Sequence, residues 1–342
     1  MVTVSLSGLS LAPIEPSDED AIRQWYELRC TVGRADQPDD PPPCWVHQLG
    51  SFRHPWPGEV DTVWLAVIGG LVVGGCTLSL PMLENRQTAW GQILVAPEHR
   101  RRGLGRALLA HLQAEATRQG RTRLIGSVEQ PLDPGAPDPA GKFAAACAAV
   151  PVLVETRRRL DVGSVDPAVL ARLDAQARSQ SRDYSLVQWV GATPQRWLDG
   201  VAYLTGRMST DTPLDDLQWD AEVYDAARKQ ACEASWVARG LRMVTTGAVD
   251  NTGRLVAFTQ IAGDATSRWF ADQGDTIVAP EHRGHRLGTL IKVANLHLAQ
   301  AQCPELRVIE TCNADSNPYM VSINEAMGFR PHRRTGEWQL DL

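Results

Sequence analysis

The sequence lacks any run of about 20 apolar residues, the length that a helix needs to cross a bilayer. Its first residues, MVTVSLSGLSLAP, contain no basic segment followed by a long apolar run, so no secretory leader is expected. These two absences predict a cytoplasmic protein that has no membrane partner.

The sequence also lacks the cysteine spacings of a metal site or a disulfide framework. Its seven cysteines are odd in number and scattered, and no CxxC or mixed Cys/His pattern occurs. We therefore expect reduced thiols and no metal, with Cys312 buried and inert. The formal net charge of −6 argues against a nucleic-acid partner. At 342 residues and 43% hydrophobic composition, the chain is long enough for two globular domains.

The most informative feature that is present is an internal repeat. The hexapeptide VAPEHR begins at residues 95 and 278, which are 183 residues apart, and RRRLDV, ending at 162, is echoed by WQLDL, ending at 342. The repeat predicts two similar halves. The segment between them starts with Asp-Pro and has apolar residues at helical spacing, which predicts a linker helix. We expect domains over residues 1–162 and 183–342, joined by a linker helix over 163–182.

Each half shows the same coarse order of elements. A first helix follows a capping sequence, which starts at Ser17 in the first half and at Thr193-Pro194 in the second, where the helix runs to about Thr205. A hairpin follows, then a strand, an amphipathic helix and a further strand. This order predicts an α/β (α+β) fold, in which each half has a mixed, mostly antiparallel sheet flanked by helices.

The repeated hexapeptide lies on a strand-to-helix turn that is rich in Arg and Gly. The strand ends at Val95, and residues 100–105 bring cations and glycines to the start of the next helix. Free backbone N–H groups and the positive end of the helix dipole form an anion site there, and a diphosphate suits it. The sequence matches neither a Walker loop, because no GK[ST] follows, nor a dinucleotide fingerprint, because Leu108 stands in place of the third glycine.

The pattern Val-x-x-x-x-Arg-x-x-Gly-x-Gly on this turn resembles the acyl-CoA loop of the GCN5-related N-acetyltransferases. The resemblance covers both halves and is similar to the tandem arrangement of actinobacterial members. It implies acetyl-CoA as the acyl donor, a diphosphate held by backbone amides, and a pantetheine arm that pairs with the end of the motif strand. It also implies that the motif strand and the next strand splay apart around the thioester, where one strand N–H polarises the carbonyl.

The resemblance assigns cofactor-binding residues to the strand end and the loop of each half. In the first half these are Leu94, Val95, Arg100, Arg101, Arg102, Gly103, Leu104, Gly105 and Arg106. In the second half they are Ile277, Val278, Arg283, Gly284, His285, Arg286, Leu287, Gly288, Asn313 and Asn317.

The two halves depart from the family pattern in different places. The first loop is complete, but the segment VEQPLDPGAPDPAGKFAAACAAV has no Asn-led helix and carries Ala144 where the family has an acid Tyr. The second loop has Arg286 in place of the first glycine, yet TCNADSNPYMVSINEAMGFRP keeps the Asn-rich turn, the helix and the Gly-Phe ending. We therefore expect the chemistry in the second half.

Transfer to an amine requires removal of the amine proton. Asp272 and Asp275 on the motif strand and Glu310 on the next strand are candidate bases, while Tyr319 and Asn324 lie on the following helix. Asn324 occupies the acid position. A missing acid is tolerable, because a thiol with a pKa near ~8.5 leaves readily as the thiolate.

The segment YLTGRMSTDTPLDDLQWD (203–220) occupies the place where this family builds its acceptor pocket. Arg207, Met208 and Asp211 are candidate substrate residues, and three further aspartates, Asp215, Asp216 and Asp220, would favour a cationic amine. The alternative is a polar connector. In the first half, the Pro-rich stretch 36–59 is a lid or a packing segment.

These features predict an acetyl-CoA-dependent N-acetyltransferase that transfers the acyl group directly to the amine of a small molecule, as a monomer or a homodimer. The alternative is a non-catalytic protein that binds CoA or a small molecule and acts as a sensor or a sequestering protein.

Overall fold

The structure, a computed structural model, describes residue 6 and residues 8–342 and divides into two compact units. The first unit extends to Gln130 and also contains Pro137–Val152 and Gly336–Leu342. The second unit contains Pro131–Ala136 and Leu153–Thr335.

The elements follow one another along the chain as follows. The first half contains β1 (Ser10–Pro13), α1 (Glu19–Asp36), α2 (Trp45–Arg53), β2 (Glu59–Ile68), β3 (Leu71–Pro81), β4 (Thr88–Val95), α3 (Leu104–Arg118), β5 (Arg123–Gln130), α4 (Pro139–Ala146) and β6 (Val150–Asp161). The remainder contains α5 (Pro167–Gln180), β7 (Ser185–Val190), α6 (Gln195–Asp211), α7 (Ala226–Ala238), β8 (Arg242–Val249), β9 (Leu255–Gly263), β10 (Phe270–Val278), α8 (Leu287–Gln302), β11 (Val308–Ala314), α9 (Pro318–Met327) and β12 (Arg330–Asp341).

Each unit has a mixed sheet, as predicted. In the first unit the strand order is β1-β2-β3-β4-β5, followed by the end of β12. In the second unit the order is β6-β11-β10-β9-β8-β7. The pairs β4·β5 and β10·β11 are parallel, and the other registered pairs are antiparallel. The parallel pair in each unit flanks the one strand–helix–strand crossover.

The hairpin turns form where the sequence predicts them. Gly69 and Gly70 join β2 to β3 with φ values of 57° and 83°, the left-handed conformation that two-residue hairpin turns require. Between β8 and β9, Asp250 accepts hydrogen bonds from the backbone N–H groups of Thr252 and Arg254. This local chemistry fixes both turns independently of the packing.

Alternating residues of β2 reach the two faces of the first sheet. Trp64 and Ala66 pack in one cluster with Leu104, Leu108 and Leu112, the apolar side of α3. Val63 and Leu65 pack in another cluster with the apolar side of α1, which contains Ile22, Trp25 and Leu28. The sheet of the first unit therefore lies between α3 and α1.

The second unit repeats this layering. Leu290 and Ile291 of α8 pack against Val256 and Ala257 of β9. Val201 and Leu204 of α6 join Phe258 and Ile277 in a separate cluster. Helices α8 and α6 therefore pack on this sheet in separate clusters, as α3 and α1 do in the first unit.

The boundaries between the units differ from those expected from the repeat. Most of β6 belongs to the second unit, where Leu160 pairs with Ile309 of β11. The final segment, Gly336–Leu342, belongs to the first unit, where Leu342 N donates to Thr122 O at 2.9 Å. The predicted linker helix is α5, and it packs on α8 inside the second unit. A linear repeat does not show which sheet a terminal strand joins.

The segment after the first loop does contain a helix, α4, but Asp138 caps it by accepting from Gly141 N at 2.7 Å, so it is not led by an Asn. Three local expectations were wrong. Helix α6 extends to Asp211, well beyond Thr205. Thr193 does not cap α6, because its hydroxyl donates to Glu233 instead. Cys312 is exposed. The Pro-rich stretch, which the sequence left undecided, contains α2.

Among the described residues, no helix is long and apolar enough to span a membrane.

Candidate active site

A gap opens between two parallel strands of the second unit. Strands β10 and β11 pair only over Phe270–Asp272 and Val308–Glu310, although both strands continue. Beyond this point β10 is paired with β9 alone, so its other edge has no strand partner among the described residues. Ile277 and Val278, which were assigned to pantetheine, lie on this stretch.

The first unit has the same gap. Strands β4 and β5 pair over Thr88–Trp90 and Arg123–Ile125, and β4 continues to Val95 beyond the last pair. Leu94 and Val95 lie on the continuation. The predicted splay is therefore present in both units.

A bulge in β10 distinguishes the second gap from the first. Gln273 lies opposite Ile261 and Thr276 opposite Thr259, so three steps along β10 match two steps along β9. A bulge bends the strand and redirects the side chains at that point. The pairing of β4 with β3 is regular from Trp90 to Val95, all of it within the described residues. Only the second gap has a strand that is reshaped next to it.

Asp275, a predicted base, lies in this bulge. Burial raises the pKa of its carboxyl, and the cation of Lys229 opposes the rise. A carboxylate with a raised pKa holds a proton more firmly than an exposed one, which suits a general base. Burial also raises the pKa of Tyr224, and Asp275 is among the neighbouring charges that add to the rise. Tyr224 therefore keeps its proton at neutral pH and remains a hydrogen-bond donor.

The cation near Asp275 belongs to a buried pair on α7. Lys229 Nζ lies 3.8 Å from Glu233 Oε1, one helical turn away, and both side chains are buried. The Glu233 carboxylate accepts two further hydrogen bonds of 2.7 Å, from the N–H and the hydroxyl of Thr193. This buried group was not identified from the sequence. Its only signal was a Lys and a Glu four residues apart, a spacing typical of exposed helices.

The carboxylate of Glu310, another predicted base, is fully engaged. Its Oε1 accepts from Arg157 Nη2 at 2.8 Å and its Oε2 from Arg159 Nε at 2.7 Å, and the side chain is 3% exposed. Both arginines lie on β6, the strand that pairs with β11. These contacts favour a structural role for Glu310. Asp272 is exposed and precedes the bulge.

The polar residues of β11 and α9 form a local group of their own. Asn324 is fully buried and its Nδ2 donates to Asn313 Oδ1 at 2.6 Å. Asn317 caps α9 by accepting from Met320 N at 3.2 Å. Tyr319 is 83% exposed at the start of the helix. The structure therefore brings Asn313 and Asn324 together and leaves Tyr319 on the surface.

The two loops that precede α3 and α8 share one backbone path. A single 3₁₀ turn, Pro97–His99 or Pro280–His282, leads into each loop. Arg101 and Gly103 have φ values of 62° and 87°, and their counterparts Gly284 and Arg286 have 86° and 56°. Among the described residues, no side chain caps the first turn of α3 or α8, so none of them competes with an anion for those N–H groups.

The first arginine of each loop makes the same contacts. Arg100 Nε donates to Val95 O at 3.1 Å, and Arg283 Nε donates to Val278 O at 3.2 Å. The Arg100 guanidinium also binds both oxygens of Asp36, at 2.7 and 2.8 Å. These side chains turn back towards the strand and the preceding helix, so anion binding at the loop would rely on backbone N–H groups.

The counterpart of Asp36 in the second unit is Asp211. Its Oδ2 accepts from Arg283 Nη2 at 2.5 Å, and its Oδ1 pairs with Arg207 on the same helix. Two of the predicted substrate residues are thus engaged with each other. The third, Met208, packs at the edge of the cluster that contains Trp189. Asp36 was not identified from the sequence, although each aspartate ends the first helix of its half.

The helix that was expected to be a linker supports the second loop. Ser181, just after α5, donates to His285 O at 2.6 Å, and Tyr184 OH lies 3.0 Å from His282 Nδ1. Arg286 Nη1 donates to Gln176 Oε1 of α5 at 3.4 Å. The loop is therefore held from the side of α5 as well as from the end of α6.

The segment 203–220, which was expected to lie between two helices, is helical as far as Asp211, where α6 ends. Its remainder belongs to the connection between α6 and α7, residues 212–225, which is called the acceptor segment below. Asp215 accepts from Ser316 at 2.8 Å, and Glu222 N donates to Ser209 at 2.9 Å. Burial raises the pKa of Glu155, while a hydrogen bond with Cys312 lowers it and the neighbouring charges of Asp215 and Asp315 raise it. Negative groups therefore gather where the acceptor segment meets β11.

The known proteins that resemble the chain are consistent with this geometry. Residues 20–136 match the model of the acetyltransferase (GNAT) family. A tandem GNAT protein from the clavulanic acid biosynthesis pathway is 33% identical, with a TM-score of 0.82 and 97% of this chain and 98% of that chain covered. A comparison with curated proteins finds no match.

More distant structures share the fold. A GCN5-related N-acetyltransferase from Sphaerobacter thermophilus is 14% identical, with a TM-score of 0.63 and coverage of 97% of this chain and 95% of that one. The GCN5-related glucosamine N-acetyltransferase region of a fungal multi-domain β-N-acetylglucosaminidase is 12% identical, with a TM-score of 0.67, and the match covers 97% of this chain and 38% of that one.

Proposed function

The chain belongs to the GCN5-related N-acetyltransferase family, and we propose on that premise that its second unit transfers an acetyl group from acetyl-CoA to the amine of a small molecule. The observation that carries the proposal is the bulge in β10, which brings Asp275, a carboxylate with a raised pKa, to the edge of the strand gap. The first unit has the gap without the bulge.

The loop before α8 fits the diphosphate of CoA. No side chain in the part of the chain that the structure describes caps the first turn of α8, and Gly284 and Arg286 hold the left-handed backbone that shapes the loop. A Cβ at Gly288 would lie 3.2 Å from Ile323 Cδ1, so a larger side chain there would crowd α9. Backbone N–H groups at the start of α8 would hold the diphosphate, and the free edge of β10 would pair with the pantetheine arm.

Acetyl-CoA supplies the acetyl thioester, whose carbonyl carbon accepts the amine. The residues of the second unit would do the rest. Asp275 takes the proton that the amine nitrogen loses as the C–N bond forms and the C–S bond breaks. A backbone N–H of β10 at the gap donates to the carbonyl oxygen as negative charge develops there. Asn324 holds no acidic proton, so the sulfur leaves as the thiolate, which a thiol pKa near ~8.5 allows.

We propose that the acceptor carries a positive charge on a group other than the neutral amine that is acetylated. Glu155, Asp215 and Asp315 lie beside the acceptor segment, where Arg157 and Arg334 offset part of their negative charge. The pKa of Glu155 is raised first by burial and then by the two aspartates. A bound cation would relieve this repulsion. The first unit, with Ala144 at the acid position and no bulge, would bind CoA or support the fold.

The alternative is a protein that binds CoA without transferring the acetyl group. The Asn324–Asn313 hydrogen bond supports it, because the acid position holds an amide that is already paired. In that case CoA would bind tightly and no amine would release free thiol from acetyl-CoA.

The deciding experiment compares Asp275→Asn with Asp272→Asn. Thiol release from acetyl-CoA is measured with a panel of mono- and diamines. We expect Asp275→Asn to lower kcat by about 10²- to 10⁴-fold, the usual contribution of a general base. Asp272 lies on the same strand before the bulge, so Asp272→Asn should retain most of the activity. Full activity in Asp275→Asn would show that Asp275 is not the general base.

A further inference from the structure

The same ion pair occurs once in each unit, at the same place in the fold. Asp36 is the last residue of α1 and binds Arg100, and Asp211 is the last residue of α6 and binds Arg283. The aspartate and the arginine of each pair are far apart in the sequence. Two copies of one contact in diverged halves indicate a shared task.

Each pair spans three elements. The arginine Nε is bonded to the carbonyl at the end of the motif strand, and its guanidinium is bonded to the end of the first helix. A planar guanidinium held along two edges is fixed in direction as well as position. Arg100 and Arg283 are the first residues of the loops that precede α3 and α8, here called the phosphate loops. The aspartate therefore fixes the position at which each phosphate loop starts.

Asp211 is more enclosed than Asp36 and binds two arginines, whereas Asp36 binds Arg100 through both of its oxygens. The Asp211 side chain is 9% exposed, compared with 44% for Asp36, and it pairs with Arg207 as well as Arg283. Partly buried, charge-assisted contacts of this kind contribute more than exposed ones. Asp211 is also the residue from which the acceptor segment departs.

We propose that Asp36 and Asp211 are positioning residues, each of which holds the first arginine of its phosphate loop so that the loop N–H groups face the diphosphate. Asp211 also fixes the start of the acceptor segment to that loop. Neither carboxylate touches the substrates in this role, which replaces the expected contact between Asp211 and the acceptor. The proposal rests on the proposed function for its ligand, CoA.

A double-mutant cycle on Asp211→Asn and Arg283→Gln tests this role. CoA affinity is measured by titration calorimetry in a Gly105→Glu background, which blocks the first loop. We expect Asp211→Asn to weaken CoA binding roughly five- to tenfold. Arg283→Gln should have a similar effect, and the double variant should be no weaker than either single variant. Additive losses, or unchanged affinity in Asp211→Asn, would overturn the proposal.

Steady-state kinetics add a readout that general destabilisation would not produce. In Asp211→Asn the KM for acetyl-CoA should rise by the same factor while kcat changes less than about twofold. Asp211→Glu should restore most of the affinity, because it returns the charge. Glu305→Gln, which removes an exposed ion pair with Arg268 elsewhere in the second unit, should leave this KM unchanged. If the wild-type protein binds CoA but transfers no acetyl group, the proposed function fails and the calorimetric cycle still decides the role of Asp211.

Discussion

Gly103 and Arg286 occupy the same position, the residue before the phosphate-loop helix, and both adopt the left-handed backbone conformation. Their φ and ψ angles are 87° and −7° for Gly103, and 56° and 23° for Arg286. Two positions earlier the residues are exchanged, since Arg101 is left-handed in the first loop and Gly284 in the second. Each loop therefore has one left-handed glycine and one left-handed arginine.

Arg286→Gly should stabilise the second unit. The left-handed conformation costs a residue with a side chain about 1–2 kcal/mol, and the flexibility of glycine in the unfolded chain cancels part of that gain. We expect the free energy of unfolding to rise by about 0.5–1 kcal/mol in urea denaturation. The mirror variant Gly103→Arg should lower it by a comparable amount. If both variants are as stable as the wild type, the loop backbone adjusts to the substituted residue and the left-handed conformation costs little.

Lys292→Leu should also stabilise the protein. Lys292 is 1% exposed, its Nζ has no hydrogen-bond partner among the described residues, and burial lowers its pKa to about 7. The aligned residue of α3 is Leu109, so an apolar side chain suits this position. We expect a gain of about 1–3 kcal/mol at pH 7.

The gain from Lys292→Leu should depend on pH. Between about pH 7, the folded pKa, and the ordinary lysine pKa of 10.5, the unfolded chain binds more protons than the folded chain. The stability of the wild type should therefore rise with pH across this window through Lys292, and the advantage of the variant should shrink. Denaturation at pH 7 and pH 9.5 measures the difference, and a constant advantage would contradict the assignment.

Lys229→Met should move the acid limb of the kcat/KM profile to higher pH. The Lys229 cation lowers the pKa of Asp275, so its removal lets burial raise that pKa further. Asp275 then loses its proton at a higher pH, so the ionised carboxylate that acts as the base forms only at a higher pH. Lys229→Arg keeps the charge and should leave the limb in place. If the acid limb does not move in Lys229→Met, the ionisation of Asp275 does not limit the activity.

Gly288→Glu and Gly105→Glu form a matched pair for the two loops. A Cβ lies 3.2 Å from Ile323 at Gly288 and 3.3 Å from Phe143 at Gly105, so the steric demand is similar. The added carboxylate repels a diphosphate at either loop. We expect Gly288→Glu to abolish acetyl transfer and Gly105→Glu to leave turnover largely intact. The opposite result would assign the chemistry to the first unit.

The hairpin turns and the strand-to-helix loops were predictable from the sequence, because each depends on local residues. The strand gaps were implied by the family resemblance. Gly69-Gly70 and Asp250–Gly253 determine their turns whatever packs around them. The repeated VAPEHR marks both strand ends, and the structure places Val95 and Val278 there. Asp275 was one of several carboxylates, and the sequence could not separate it from Glu310.

The remaining features depend on contacts between residues that are distant in the chain. Two arginines of β6 engage Glu310, and their approach follows from strand pairing that no spacing reveals. Asp36 and Asp211 acquire their role only when a helix end meets a strand end. The membership of α5 in the second unit has the same origin, since the helix packs on α8.

By itself, the sequence indicated that the chain is duplicated, that each half has a strand-to-helix turn rich in Arg and Gly, and that the family is that of the GCN5-related N-acetyltransferases. These features depend on residues that are close together in the chain, so residue type and backbone preference are enough to predict them. Only the tertiary structure decided which carboxylate has a raised pKa, which is held by arginines and which positions a loop. Those properties depend on burial and on partners that folding brings together.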